Sequence, residues 1–185
     1  TLTVGETLTL GANGTGDGSL SVKGAGTTAT VGGALTVGYS GKGSLAITAG
    51  AKVDSLGGHV GRSAAGSGTV VVDGVGSRWN TGGSALYIGA GASGSLTVTN
   101  GGVIDGPVQV AVNGTLGGNG TVGTTEVVGG TLLGVQGQTL TIDGQLALQS
   151  GARVNVSLGS PGNVTGLFKV NGNVTLDGTL NVTNA

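Results

Sequence analysis

The sequence predicts an all-β parallel β-helix of roughly seven rungs with no α-helix, and three observations predict it. The first is an internal echo at an offset of 50–51 residues. Residues 18–50 read GSLSVKGAGTTATVGGALTVGYSGKGSLAITAG, and residues 68–101 read GTVVVDGVGSRWNTGGSALYIGAGASGSLTVTNG. The second is a shorter phrase, Gly-(Ser/Thr)-hydrophobe-x-hydrophobe, at Gly18, Gly43, Gly68 and Gly94, spaced 25, 25 and 26 residues apart. The third is composition: 44 of 185 residues are glycine, and only Tyr39, Trp79, Tyr87 and Phe168 are aromatic. A narrow coil is filled by Val, Leu, Ile, Ala and Thr, whereas a globular core draws on the large area of aromatics. Stacked repeats that cannot bury a core singly give an elongated molecule, and they argue against a compact enzyme.

Each phrase alternates apolar and polar: Leu20/Val22, Leu45/Ile47, Val70/Val72, Leu96/Val98. Period-two alternation puts both apolar side chains on one face of a strand. Glycine pairs at 32–33, 57–58 and 82–83 mark corners between short strands. About 25 residues then make one coil, and the strand spacing gives a rod of about 35 Å. The opening segment, 1–17, carries LTVG at 2–5, an echo of LTVG at 35–38, then LTL at 8–10 and a polar loop. It reads as an irregular rung with an insertion. Residues 18–105 form the regular array. From 106 the texture changes, with strands expected to lengthen at 140–142, 146–148 and 154–158. A weaker echo of offset 28 links IDGQLAL at 142–148 to VNGNVTL at 170–176, and an exposed loop is expected at 159–166, around Pro161. The whole of 1–185 reads as one continuous solenoid, with 1–105 a regular array and 106–185 a second texture.

Composition excludes several classes. There is no Gly-X-Y period, so collagen is ruled out. Disorder needs low hydropathy and high charge, but mean hydropathy is +0.31 and net charge is −1. Seven scattered cations cannot displace a nucleic acid's counterions. No apolar stretch reaches membrane-spanning length. The absence of cysteine excludes disulfides and thiolate metal sites. Because Thr1 is no start methionine, the chain is expected to be a processed or excised piece.

Chemistry-bearing groups are sparse. His59, Ser63 and Asp54 or Asp73 supply the residue types of a Ser/His/Asp site, yet nothing resembles a nucleophile elbow, and a polar His beside a glycine corner suffices. Asp54 and Asp105 occupy equivalent repeat positions two rungs apart, roughly 10 Å, just beyond the inverting-glycosidase range of about 6.5–9.5 Å. Asp73 is the third carboxylate for such an acidic face. The nonapeptide of calcium β-rolls is missing, and no helix follows the glycine-rich stretches to bind phosphate. No cofactor or metal is expected. Asn-x-Ser/Thr triplets at Asn13, Asn113, Asn119, Asn155, Asn163, Asn173 and Asn181 follow from a composition rich in Asn and Thr. Thr-x-Thr pairs (Thr7/Thr9, Thr97/Thr99, Thr139/Thr141) do not recur at the coil spacing, as an ice-binding ladder requires. The best partner-contact candidates are Arg78, Trp79 and Tyr87, which replace Thr28, Ala29 and Thr36 of the earlier repeat, together with Tyr39 and Arg62. Recognition surfaces favour Trp, Tyr and Arg. Trp79 is expected to pack over a coil corner rather than to bind, and Tyr87, between Leu86 and Ile88, is expected to face outward.

The stretches VDGVGSRWN (72–80) and LYIGAGASGSLTVTNGG (86–102) resemble passenger-domain repeats of Gram-negative autotransporters. LGGNGTV (116–122) and VNGNVTLDGTLNV (170–182) resemble the C-terminal part of such passengers. The resemblance implies a right-handed parallel β-helix, cell-surface or secreted, acting as a non-catalytic adhesin. Its partners would be a host-cell or matrix protein or glycan, or a sister cell, with membrane contact only through a C-terminal barrel that this piece lacks. Two alternatives stand beside it. One is a stalk and folding template without a ligand, in which 106–185 folds alone and 1–105 does not. The other is a polysaccharide-active β-helix enzyme, which requires an acidic cluster on one face.

Overall fold

The computed structural model describes residues 1–159 and 165–184, so the expected loop around Pro161 lies largely outside the described residues. These form twenty-four strands and no helix. Sequence neighbours never pair. Each strand pairs in parallel with the strand three places further on, which sorts the chain into three sheets of eight strands. The first sheet stacks Leu2–Val4, Thr28–Val31, Lys52–Asp54, Arg78–Asn80, Val103–Asp105, Thr121–Val122, Leu140–Ile142 and Phe168–Val170. The second stacks Leu8–Leu10, Leu35–Val37, Gly58–Val60, Leu86–Ile88, Val108–Ala111, Thr125–Val128, Leu146–Leu148 and Val174–Leu176. The third stacks Asp17–Lys23, Lys42–Thr48, Ser67–Asp73, Ser93–Thr99, Gly114–Gly118, Thr131–Val135, Arg153–Leu158 and Thr179–Asn184. Successive coils wind through the three sheets in turn, about seven turns in all. Seven steps at the strand spacing make a rod of about 34 Å.

The core is a set of aliphatic columns running along the axis. Leu45, Val70, Leu96, Leu116 and Leu132 stack on the third sheet, and Val37, Val60, Ile88, Val110 and Val127 on the second, all buried. Every inward side chain thus meets an equivalent one from the coils before and after it. That is why the sequence tolerates so few large residues.

The recurrent phrase codes the third sheet. Its glycines face inward where the preceding corner crosses: a Cβ on Gly43 would lie 2.0 Å from Gly38 N, and one on Gly94 2.1 Å from Val60 O. The residue that follows faces solvent, so Ser19, Ser44, Thr69, Ser95, Thr115 and Thr131 form one in-register column of hydroxyls. The Thr-x-Thr pairs, by contrast, are scattered over the three sheets: Thr9 on the second, Thr97 and Thr99 on the third, Thr141 on the first.

Three local expectations are corrected. LTV at 2–4 lies on the first sheet, and its echo at 35–37 lies on the second, where its register partner is LTL at 8–10. Three-residue strands of both sheets need the same hydrophobe-x-hydrophobe pattern, so wording alone does not separate them. The opening coil is also regular. Its six-residue corner, 11–16, has the length of the corner at 61–66, while the coils between and after turn in four residues at 38–41 and 89–92. This alternation of corner lengths is what doubles the 25-residue period to 50. Finally, strands do not lengthen after 106; third-sheet strands shorten from seven residues to five or six, and corners such as 112–113 shrink with them. The echo of offset 28 does correspond to register, since Ile142, Leu146 and Leu148 pair with Val170, Val174 and Leu176.

Candidate functional site

Trp79 is not a contact residue. It lies in the inward column of the first sheet between Val53 and Ile104 and has no exposed surface. Its indole N–H donates to Ser55 Oγ at 2.9 Å, and that hydroxyl in turn donates to Gly57 O at 2.8 Å. The polar handle is therefore satisfied inside the core. Room for the indole comes from Gly58, which occupies the column position filled by Leu35 and Leu86 in neighbouring coils. A Cβ there would lie 2.8 Å from Trp79 Cζ2.

Arg78, one residue earlier, faces outward. It holds Asp105 of the next coil in an ion pair of 2.9 Å, with both side chains about half exposed (46% and 52%). Asn80 sits in register between Asp54 and Asp105 and donates through Nδ2 to Asp54 Oδ1 at 3.1 Å. The two carboxylates thus stand two coils apart, as expected, each with its own partner. Asp73 lies on the third sheet, not with them. It accepts from Thr99 Oγ1 and Asn100 Nδ2, both at 2.7 Å, and these bonds hold its carboxyl below the usual range.

His59, Tyr87, Tyr39 and Arg62 come together. The outer face of the second sheet carries one in-register column: Thr9, Thr36, His59, Tyr87, Gln109, Glu126, Ala147, Thr175. Within it the His59 and Tyr87 rings stack at 5.2 Å between centroids, inclined by 15°. Tyr87 is half-buried and faces out, because Leu86 and Ile88 face in. Where these strands end, the corners at Gly38 and Gly61 bring Arg62 over the Tyr39 ring, 5.6 Å from its centroid. An exposed cation–π contact of this kind contributes about 0.5–1 kcal/mol. Tyr39 is 41% exposed, and Arg62 is exposed beside it. The one ion pair among the described residues belongs to Arg78, so no protein carboxylate occupies the Arg62 guanidinium. Farther along the column, Glu126 accepts from Gln109 Nε2 and Gln149 Nε2, each at 3.0 Å.

His59 and Asp54 stand on the outer faces of different sheets, and His59 Nδ1 is buried without a hydrogen-bond partner. The arrangement therefore lacks the carboxylate that orients a catalytic histidine. Burial first, and then the nearby Arg62 charge, pull the His59 pKa below its ordinary value. The unfolded chain consequently binds a proton that the folded one resists as pH falls below about 6.5. Stability therefore falls with pH through that window, and His59→Gln removes this component. Melting temperatures measured between pH 7.5 and 5 check it: the wild-type decline should be visibly steeper than that of the variant.

Residue spacing missed this cluster because the eye follows the 50-residue echo, whereas side chains touch the adjacent coil. Tyr39 and Arg62 are 23 residues apart, His59 and Tyr87 28. Aligning the chain against itself at the single-coil period is the signal that finds them. Among the described residues, no group of three or more His, Asp or Glu is placed to hold a metal ion. Comparison with family models, curated proteins and solved structures gives no match for this chain.

Proposed function

We propose that the chain is a non-catalytic adhesion segment: a rigid β-helical rod of the autotransporter-passenger kind, acting at the surface of a Gram-negative bacterium or after secretion. The observation that carries the reading is the convergence of Tyr39, His59, Arg62 and Tyr87 from three successive coils onto one outward patch. Aromatic and Arg side chains on a rigid scaffold are the usual anchors of recognition, and the scaffold limits the entropy lost on binding. The passenger-like wording of 72–102 and 170–182 supports the same reading. Partners in this account are host-cell or matrix proteins or glycans.

Binding of the purified chain to matrix proteins and to glycans tests it. A saturable ligand should lose at least about tenfold in affinity when Tyr39, Arg62 and Tyr87 are replaced together by alanine. The melting temperature should stay close to wild type, since all three side chains reach solvent. Undiminished binding by the triple variant would contradict the patch and turn attention to the stalk.

A further inference from the structure

We infer that the Tyr39–Arg62–His59–Tyr87 patch is a binding site for an acidic polysaccharide, one whose sugars bear carboxylates; this rests on the adhesion reading and names the ligand class for it. Three features of the patch support it. Arg62 presents a planar guanidinium that no carboxylate of the protein occupies, held in place over the Tyr39 ring. That fork matches a carboxylate in two parallel hydrogen bonds, which a point charge does not. Tyr39 beneath it is exposed, and half-buried Tyr87 stacks on His59 three residues before Arg62, so the patch offers ring surface suited to the apolar faces of sugar rings. Third, the patch sits in mid-sheet. Its strands, Leu35–Val37, Gly58–Val60 and Leu86–Ile88, are already paired on both sides, so no free edge exists there for a peptide to add as a strand. Recognition must run through side chains alone, which suits a glycan lying across the coils. The patch spans two coil steps, about 10 Å along the axis, room for more than one sugar unit.

The charges near the patch agree with an acidic ligand. Arg62 is the one cation in the cluster, and Glu126, the nearest carboxylate in the column, lies two coils beyond Tyr87 and is held by two glutamines. A ligand carboxylate at Arg62 therefore meets no competing acid from this column, and Arg62 itself forms no ion pair.

The test is titration of the 185-residue chain with hyaluronate, with neutral dextran and dextran sulfate as parallel arms. The expected result is saturable binding to hyaluronate that weakens with added salt, and none to dextran. Arg62→Ala should cost about tenfold or more, Arg62→Lys several-fold through loss of the planar fork, and Tyr87→Ala several-fold. Far-UV circular dichroism of each variant establishes that the fold is retained. Equal binding to dextran, or dextran sulfate binding that ignores Tyr87→Ala, would overturn the carboxylate-sugar assignment. No hyaluronate binding would overturn it too, while leaving the adhesion reading intact if another ligand is lost in the triple variant. Hyaluronate binding indifferent to Arg62 and Tyr87 would overturn this patch as the site.

Discussion

Replacing Trp79 by alanine should destabilise the protein by about 3–5 kcal/mol, the range for losing a large aromatic from a close-packed core. That is a large part of the ~5–15 kcal/mol that holds most domains together, so the variant should unfold at far lower urea concentration. The indole is fully buried and is the largest side chain in a core otherwise built of aliphatics. Its removal leaves a void that the coils above and below cannot fill, because Gly58 contributes no side chain to the space. Ser55→Ala isolates the polar part of the effect. It strands the indole N–H, and a buried donor left unpaired costs about 1–3 kcal/mol. The pairing of Trp79 with Gly58 adds a signature that simple cavity formation lacks. Gly58→Ala alone drives a methyl against the indole, Leu35 O and Leu86 Cδ1. In a Trp79→Val background that methyl has space, so the two substitutions together should cost clearly less than their sum. Strict additivity in urea titrations would show that the two residues do not share one volume.

The second large effect lies at a corner. Gly38→Ala should prevent folding, or destabilise by more than about 4 kcal/mol, a size reserved for a few severe mechanisms. Gly38 has φ +77°, where a side chain is strained by about 1–2 kcal/mol before any contact is counted. The new Cβ would then lie 2.0 Å from Ser67 O and 2.3 Å from Ser67 C, backbone atoms of the next coil's third-sheet strand. They cannot withdraw without breaking the parallel ladder between Lys42–Thr48 and Ser67–Asp73. Gly26 is the control. Its φ of +82° carries the same strain, but nothing lies within 4 Å of a Cβ there. Gly26→Ala should therefore cost only about 1–2 kcal/mol and leave a folded protein. Circular dichroism and thermal melts of the two variants separate backbone strain from collision between coils.

How far the sequence could be read depended on which physical rule set each residue. The phrase at Gly18, Gly43, Gly68 and Gly94 located the third sheet, because an inward glycine, an outward hydroxyl and two inward hydrophobes must recur wherever that corner crosses the next coil. Trp79 stood among the contact candidates because the missing leucine at Gly58, which makes space for it inside, has meaning only once Leu35, Gly58 and Leu86 are known to be one column. The echo between LTV at 2–4 and at 35–37 misled for the opposite reason: strands of three residues carry too little pattern to say which sheet they join. The patch was half legible. Tyr87 could be turned outward from its neighbours, and Tyr39 and Arg62 could be named as candidates. Their convergence with His59 is a property of contacts between adjacent coils, which depend on corner lengths of four and six residues rather than on any motif.

Those coil-to-coil columns are the claim on which the core, the corners and the patch all rest. A distance measured along one of them tests it most directly. The chain has no cysteine, so Thr9→Cys and Thr175→Cys place spin labels at the two exposed ends of the second sheet's outer column with no competing thiol. The account predicts a single narrow distribution in pulsed electron paramagnetic resonance centred near seven strand spacings, about 34 Å, despite 165 residues of intervening chain. A broad distribution, or a narrow one far from that value, would contradict in-register stacking.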